Sequence, residues 1–383
     1  MKKLLILLFA PCLFSCGMLN SSSGLNESEA PTAYIQEEEQ LWLDSVPQSN
    51  YINFKNQIGR WYPYMQYENY MTGKTADEFR QSVREMFTSA ANEGVNTVYL
   101  HVHPNGDAYY NSKLFPKGSL LDGDYDPLAI MTEEAHKLGL SVHAWINPLR
   151  LQTIEQMNSV PESYITKQWV TSGVPYVKEV SGRWYLDPAY NEVTQLISDC
   201  VKEILDNYAV DGVHIDDYFY PTTDPEFDRA AFEASGSDDL SKWRMDNCTR
   251  FVKAIYDTVK AKDKELVFGI SPQGSISGNY SNQFADVKLW AGENGYCDYI
   301  VPQIYYGFKN TCCPFEATLA EWESIRGDSE VAIIVGLAGY KTGKEDKWAG
   351  AAGENEWIDD PDIIEKQIEA VKKSKANGYA IYY

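Results

Sequence analysis

The sequence predicts a (β/α)8 TIM barrel with extended strand-to-helix loops, and three observations carry that prediction. Eight short runs rich in β-branched and aromatic residues recur between residues 59 and 382. Amphipathic helical patterns stand between them. No Gly-x-Gly-x-x-Gly follows the first run, which counts against the alternative, a doubly wound open sheet that binds a dinucleotide. The stretch 51–383 exceeds the roughly 250 residues of a typical barrel. The surplus falls at 104–125, 148–191, 218–241 and 271–298, all expected as loops on the face where barrel strands end and chemistry is placed.

In chain order, strands are expected at 59–65, 95–102, 140–146, 212–216, 266–270, 299–305, 331–337 and 378–382. Between the first two, Thr75 and Glu78 have capping-box spacing. Phe79, Val83, Phe87 and Ala90 line one helical face, and Gly94 stands where the helix should close. In the next crossover Asp126 caps, Pro127 suits the first helical position and Gly139 ends the helix. A third helix, 192–208, presents Val193, Leu196, Ile197, Cys200, Val201, Ile204 and Leu205 on one side. Further helices fit 247–261 and 361–377.

Residues 1–15 read as an export signal. Lys2 and Lys3 precede an apolar run, residues 4–10, too short to span a bilayer. Leu13-Phe14-Ser15-Cys16 resembles a lipobox, so Cys16 is expected to carry lipid and become the mature N-terminus. Residues 16–50, with Ser, Asn and Glu prominent, suit a solvated tether. The expected place is therefore the cell envelope: lipid-anchored to a membrane through Cys16 only, the outer membrane in a Gram-negative source, and facing periplasm or exterior.

The formal net charge is −22, and it grows more negative once Lys2 and Lys3 leave. Such a surface repels nucleic acid and anionic lipid, so neither is an expected partner. The 27 Tyr and 10 Trp point to carbohydrate, because sugar faces stack on aromatic rings. Beyond Cys12 and Cys16, the cysteines are Cys200, Cys248, Cys297, Cys312 and Cys313, without a Cys-x-x-Cys pair. Cys200 and Cys248 fall on apolar helical faces, whereas Cys312 and Cys313 invite a vicinal bridge or a pairing with Cys297. No zinc-type spacing brings histidines beside these cysteines, so no metal and no cofactor is expected.

The most informative stretch is Asp211 to Pro221, where a short strand ends in the adjacent carboxylates Asp216 and Asp217 and then a cluster of rings. Acids followed by aromatics at a C-terminal strand end suit glycosidic cleavage. Two adjacent carboxylates cannot easily both ionise, which keeps one proton available near neutral pH. Asp211, at the other end of the strand, is expected to be structural.

The chain resembles glycosyl-hydrolase-like family 10, whose barrel is often carried by envelope lipoproteins. The resemblance rests on 103–110 (HPNGDAYY), 143–148 (HAWINP), 211–221 (DGVHIDDYFYP), 270–272 (ISP), 298–305 (DYIVPQIY) and 339–343 (GYKTG). It departs from the usual pattern at His103, where arginine is usual, and at Asn105, where an aromatic is common. The resemblance implies glycosidic hydrolysis of a polysaccharide, with peptidoglycan glycan stripped of its peptides as the substrate class.

On this basis Asp216 and Asp217 are the expected catalytic pair, and three mechanisms compete. In the first, one aspartate orients the substrate's own acetamido nucleophile while the other is general acid/base. In the second, Asp216 is a nucleophile as in amylase-type barrels, although 268–272 (FGISP) lacks their fifth-strand glutamate. In the third, Asp217 works across the barrel with Asp107 or Asp187. The motif also resembles that of family 18 chitinases, but their acid position is Tyr218 here. Substrate contacts are expected from His103, Asp107, Asn147, His214, Gln303, Tyr305, Tyr340 and Lys341, the lysine meeting a carboxylate such as the lactyl group of muramic acid. A catalytically silent carbohydrate-binding envelope protein is the alternative. A metal-dependent deacetylase would need a His/Asp cluster that the sequence does not assemble.

Overall fold

The computed structural model describes residues 51–383. Cys16, the signal and the tether lie outside the described residues.

Eight parallel strands form the centre: β1 (Gln57–Tyr62), β2 (Thr97–His103), β3 (Ser141–Ile146), β4 (Gly212–Ile215), β5 (Val267–Ile270), β6 (Tyr299–Ile300), β7 (Ala332–Ile333, continued as Val335–Ala338) and β8 (Gly378–Tyr382). Each pairs with its neighbour in chain order, and β8 returns to β1 with Gln57 opposite Gly378. The two segments of β7 close the ring. The first pairs with β6 and the second with β8, while Ile334 and Gly336 N–H donate to the carbonyls of Ile300 and Pro302, both at 2.9 Å. The break at Ile334 is thus a kink in one strand.

Seven crossover helices complete the alternation: α1 (Ala76–Asn92), α2 (Pro127–His136), α3 (Asn191–Asn207), α4 (Leu240–Lys262), α5 (Val287–Gly292), α6 (Phe315–Arg326) and α7 (Ile363–Lys372). Thr75 and Glu78 make a reciprocal capping box on α1, and Asp126 accepts from Ala129 N–H ahead of Pro127. Helix α4 starts well before the expected 247. Its first turns are polar, and the group they turn inward is Arg244, fully buried against Asp228 at 2.6 and 2.8 Å. An ion pair replaces the apolar stripe there, so periodicity does not reveal it. Helices α5 and α6 were not expected from the sequence. Strand β6 is shorter than 299–305 because Pro302 has no N–H for the ladder; beyond it only isolated bridges at Gln303 continue the sheet.

The segment 148–191 is not a plain loop. It folds into a three-stranded antiparallel sheet, with Arg183–Leu186 between Arg150–Thr153 and Val177–Val180, and it sets Arg150 at the mouth of the barrel. Among the described residues, no helix is long and apolar enough to cross a membrane.

Inside the barrel the core is aromatic, with Trp61, Tyr99, Trp145 and Tyr299 packed with Val301, Ile334 and Ala380. These rings need space that neighbouring strands must yield. A Cβ on Gly269 would lie 1.9 Å from the Tyr299 ring, so only glycine fits. His214 and His143 sit in this layer, joined through Tyr299. Trp61 donates its indole N–H to His214 Nε2 at 3.2 Å, which leaves the proton on Nδ1 to meet Tyr299 Oη at 3.0 Å. Tyr299 in turn hydrogen-bonds His143 Nδ1 at 2.6 Å. Burial holds both imidazoles well below their ordinary pKa, and hence neutral. Beneath the barrel, Asp211 accepts from Ile52 N–H (2.6 Å) and Val142 N–H (2.7 Å), and pairs with His136 (2.9 Å). It acts as a staple far from the site. Cys200, Cys248 and Cys297 are buried, and all five described cysteines are free thiols.

Candidate active site

Strand β4 delivers both carboxylates to one place because it stops short of them. Its last ladder pairs are Ile215 with Ile146 and with Ile270. On a regular strand Asp216 would face the interior, like His214, and Asp217 the outer helices. The chain instead turns after Ile215, with Tyr218 N–H directed to Asp216 Oδ1 (3.4 Å) and Phe219 N–H bonded to Asp217 O (3.1 Å). Asp216 and Asp217 both line a cavity of about 400 Å³ at the C-terminal mouth of the barrel, while Phe219 and Tyr220 are buried in the outer core.

The two acids differ in setting. Asp216 is only 5% exposed, and its Oδ2 accepts the indole N–H of Trp145 at 3.1 Å. Asp217 is partly open, and its Oδ1 accepts from Gln303 Nε2 at 3.3 Å. Burial raises both pKa values; the Asp217 charge raises that of Asp216 further, whereas the Trp145 hydrogen bond and the Arg150 charge lower it. The pair therefore keeps a shared proton to higher pH than an ordinary carboxylate would.

The cavity wall is aromatic and neutral apart from these acids and Arg150. Trp61 and Trp145 floor it, and Tyr64, Tyr218, Tyr305, Tyr340 and Tyr382 surround it. Tyr218 is 43% and Tyr340 37% exposed, open enough to meet a ligand. The Arg150 guanidinium lies 4.9 Å over the Tyr218 ring, supported from below by the antiparallel insertion.

The residues expected to touch substrate separate into two groups. Asn147, Gln303, Tyr305 and Tyr340 line the cavity with the acids. Asn147 donates to Pro104 O at 3.2 Å, and its buried Oδ1 lacks a hydrogen-bond partner. His103, Asp107, His214 and Lys341 do not line it. His103 is fully buried and packs on Phe115, ring centroids 4.3 Å apart. A register shift between His101 and His103 turns it away and leaves His101 in the cavity, stacked on Trp145 at 3.6 Å. His214 lies below, in the neutral core network. Asp107 turns into its own loop, accepting from Asn105 N–H at 2.9 Å, and burial pushes its pKa up to about 6. Lys341 is held by Asp346 Oδ2 at 2.7 Å and by Tyr305 O at 2.8 Å, so its charge is already answered. Arg150 is the cation that faces the cavity.

Asp187, like Asp107, does not line the cavity; it is fully buried, bonded to Ala189 N–H at 2.9 Å, and raised by burial to about 7. Neither residue supplies Asp217 with a partner across the barrel, and Asp216 and Asp217 are the carboxylates that line the cavity. Trp61, Trp145, His101, Arg150, Tyr218 and Tyr382 line the cavity but were not among the expected substrate contacts. Strand parity offered a signal for Trp145, which points the same way as Asn147. For Arg150 there was none, because its position depends on the insertion's fold.

A family model described as Glycosyl hydrolase-like 10 matches residues 41–351. Glycosyl hydrolase DigH of Escherichia coli strain K12 is 32% identical over 285 residues, covering 66% of this chain and 64% of that protein. Glycosyl hydrolase YngK of Bacillus subtilis strain 168 is 32% identical over 300 residues, covering 70% of this chain and 57% of that protein. The chain thus spans less than two thirds of the length of these relatives. Among solved structures, the PgaB (BpsB) glycoside hydrolase domain from Bordetella bronchiseptica superposes with a TM-score of 0.60 at 13% identity, covering 85% of this chain and 93% of that one. Alpha-L-fucosidase isoenzyme 2 from Paenibacillus thiaminolyticus gives 0.54 at 12% identity, over 85% and 46%. At such identities the likeness shows the fold, a barrel shared with glycoside hydrolases.

Proposed function

The chain belongs to the glycosyl hydrolase-like 10 family, and on that premise we propose that it is a glycoside hydrolase of the cell envelope that cleaves N-acetylated glycan strands, with peptide-free peptidoglycan as substrate. The observation that carries the proposal is the adjacent Asp216 and Asp217, buried together in an aromatic cavity at the C-terminal mouth of the barrel. One proton shared by the pair supplies the general acid for the leaving oxygen. The remaining carboxylate orients and charges the substrate's acetamido group as it attacks the anomeric carbon, a scheme that needs no third acid. Trp145 and Gln303 hold the two carboxylates in place, the tyrosines stack on the sugar, and Arg150 meets a carboxylate such as the lactyl group of muramic acid. Cys16 anchors the protein to its membrane, a role supported by the lipobox-like residues 13–16 and tested by lipid incorporation that Cys16→Ala abolishes.

The test incubates the purified protein with intact and with peptide-stripped peptidoglycan and reads the products by mass spectrometry, beside Asp216→Asn and Asp217→Asn. Defined fragments from stripped glycan, absent with both variants, are expected. Binding without fragments from the wild type would instead make this a carbohydrate-binding protein.

A further inference from the structure

A second cavity of about 500 Å³ adjoins the first and shares Asp217, Gln303 and Tyr305 with it. Trp348 borders it and is 92% exposed, the most open of the large apolar side chains of the described residues. A lone exposed ring is ordinary on a protein surface, but this one is held out on a fastened loop. Its neighbours Asp346 and Ala349 are buried. Asp346 N–H bonds Glu354 O at 2.8 Å, and Ala349 O accepts from Thr311 N–H at 2.9 Å and from Thr311 Oγ1 at 3.0 Å. The Asp346 carboxylate takes Lys341 Nζ at 2.7 Å and the N–H of Trp348 itself at 3.3 Å. Lys341, in turn, is tied to Tyr305 O, so the loop is referenced directly to the wall of the catalytic cavity. The rest of the lining includes the amides of Gln273 and Asn310 and the hydroxyl of Ser275, hydrogen-bonding groups without net charge. Lys341 and Asp346 cancel one another.

We propose that this cavity is a second saccharide subsite, in which the Trp348 indole stacks on the face of a neutral sugar next along the same glycan chain. The proposal rests on the glycan reading of the first cavity, from which the chain would pass along Asp217, Gln303 and Tyr305. An indole face and neutral amides fit an N-acetylated sugar; the cancelled charge offers nothing to a carboxylate. Lys341 and Asp346 are positioning residues, since they hold the loop and not the sugar.

The test titrates the full chain calorimetrically, at low temperature, with peptide-free N-acetylglucosamine–N-acetylmuramic acid oligomers of two, four and six sugars. Fragment release at working temperature is followed separately. Wild-type affinity is expected to rise about tenfold from two sugars to four. Trp348→Ala should lose that rise while binding the disaccharide as before, and Trp348→Phe should recover most of it. Tetrasaccharide affinity unchanged in Trp348→Ala overturns the subsite, as does a wild type whose affinity does not grow with length or that binds none of the oligomers. Length-dependent binding that needs Trp348, in a wild type that releases no fragments, would sustain the subsite and defeat the hydrolase reading instead.

Discussion

The Trp145 indole N–H donates to Asp216 Oδ2 at 3.1 Å, from a ring that also stacks on His101. With Tyr218 N–H on Oδ1, this contact holds the deeper acid and stabilises its charged form. Trp145→Phe keeps the ring and removes the donor. Hydrogen bonds to a charged group are worth about 1.5–3 kcal/mol, so the pKa of the pair should move up by about one to two units. The pH–rate limb governed by the pair should shift to higher pH, with kcat reduced by about tenfold. A profile that does not move would remove Trp145 from the control of Asp216.

The two aspartates should be separable by leaving group. Asp216→Asn and Asp217→Asn each remove a group of the kind worth about 10²–10⁴ in rate. The variant lacking the general acid should regain much of its activity on an aryl glycoside, whose leaving group needs no proton. The other should stay inactive on both substrates. Equal recovery in both variants would sink the division of roles.

Arg150→Ala should raise the pKa of Asp216, because the Arg150 charge lowers it in the wild type. It should also weaken binding of carboxylate-bearing glycan by about tenfold, a typical loss for one charge-assisted hydrogen bond. Comparing KM on native glycan and on glycan with reduced carboxyl groups checks this. The native penalty should vanish on the reduced substrate.

Stability should fall as pH rises from about 4 to about 7. Asp187 in the fold titrates at about 7, and Asp107 at about 6, both above their unfolded value. Their contribution is complete below the unfolded pKa and is lost as pH rises through the folded one. Asp187→Asn retains an acceptor for Ala189 N–H and removes the buried charge. It should stabilise the fold at pH 8 by on the order of 2–4 kcal/mol, seen as a higher melting temperature, and change little at pH 4. Thermal melts across that range read the difference.

Gly269→Ala should cost about 3 kcal/mol or more, since overpacking of a filled core is poorly relieved and the added Cβ meets the Tyr299 ring at 1.9 Å. Denaturant unfolding measures the loss. A neutral result would mean that Tyr299 moves freely, breaking its bonds to His214 and His143.

The alternation of strands and helices was legible where one face of an element is apolar, as in α1 and α3, or where its end carries a cap, as in α1 and α2. It failed where polar groups did the packing, as with Arg244 of α4, which pairs with Asp228. The acids at 216–217 were legible as a pair from their place at a strand end. Their convergence on one cavity was expected from the turn at a strand end, where strand alternation alone, which sends them to opposite faces, no longer governs. His103 and His101 show the same limit. Both have the same parity, and one irregularity in the ladder decides which enters the site.

By itself, then, the sequence determined the barrel, the family resemblance and the strand that carries the paired acids, since these follow from periodicity, capping and the order of residue types along the chain. Only the tertiary structure decided that His214 belongs to a neutral core network, that Lys341 is spent on Asp346, and that Arg150 faces the cavity. The His214 network and the place of Arg150 depend on contacts between segments far apart in the chain, and Lys341, five residues from Asp346, is also tied to the distant Tyr305 O. Charge pairing and burial act through space, and nothing in local sequence encodes which partner arrives.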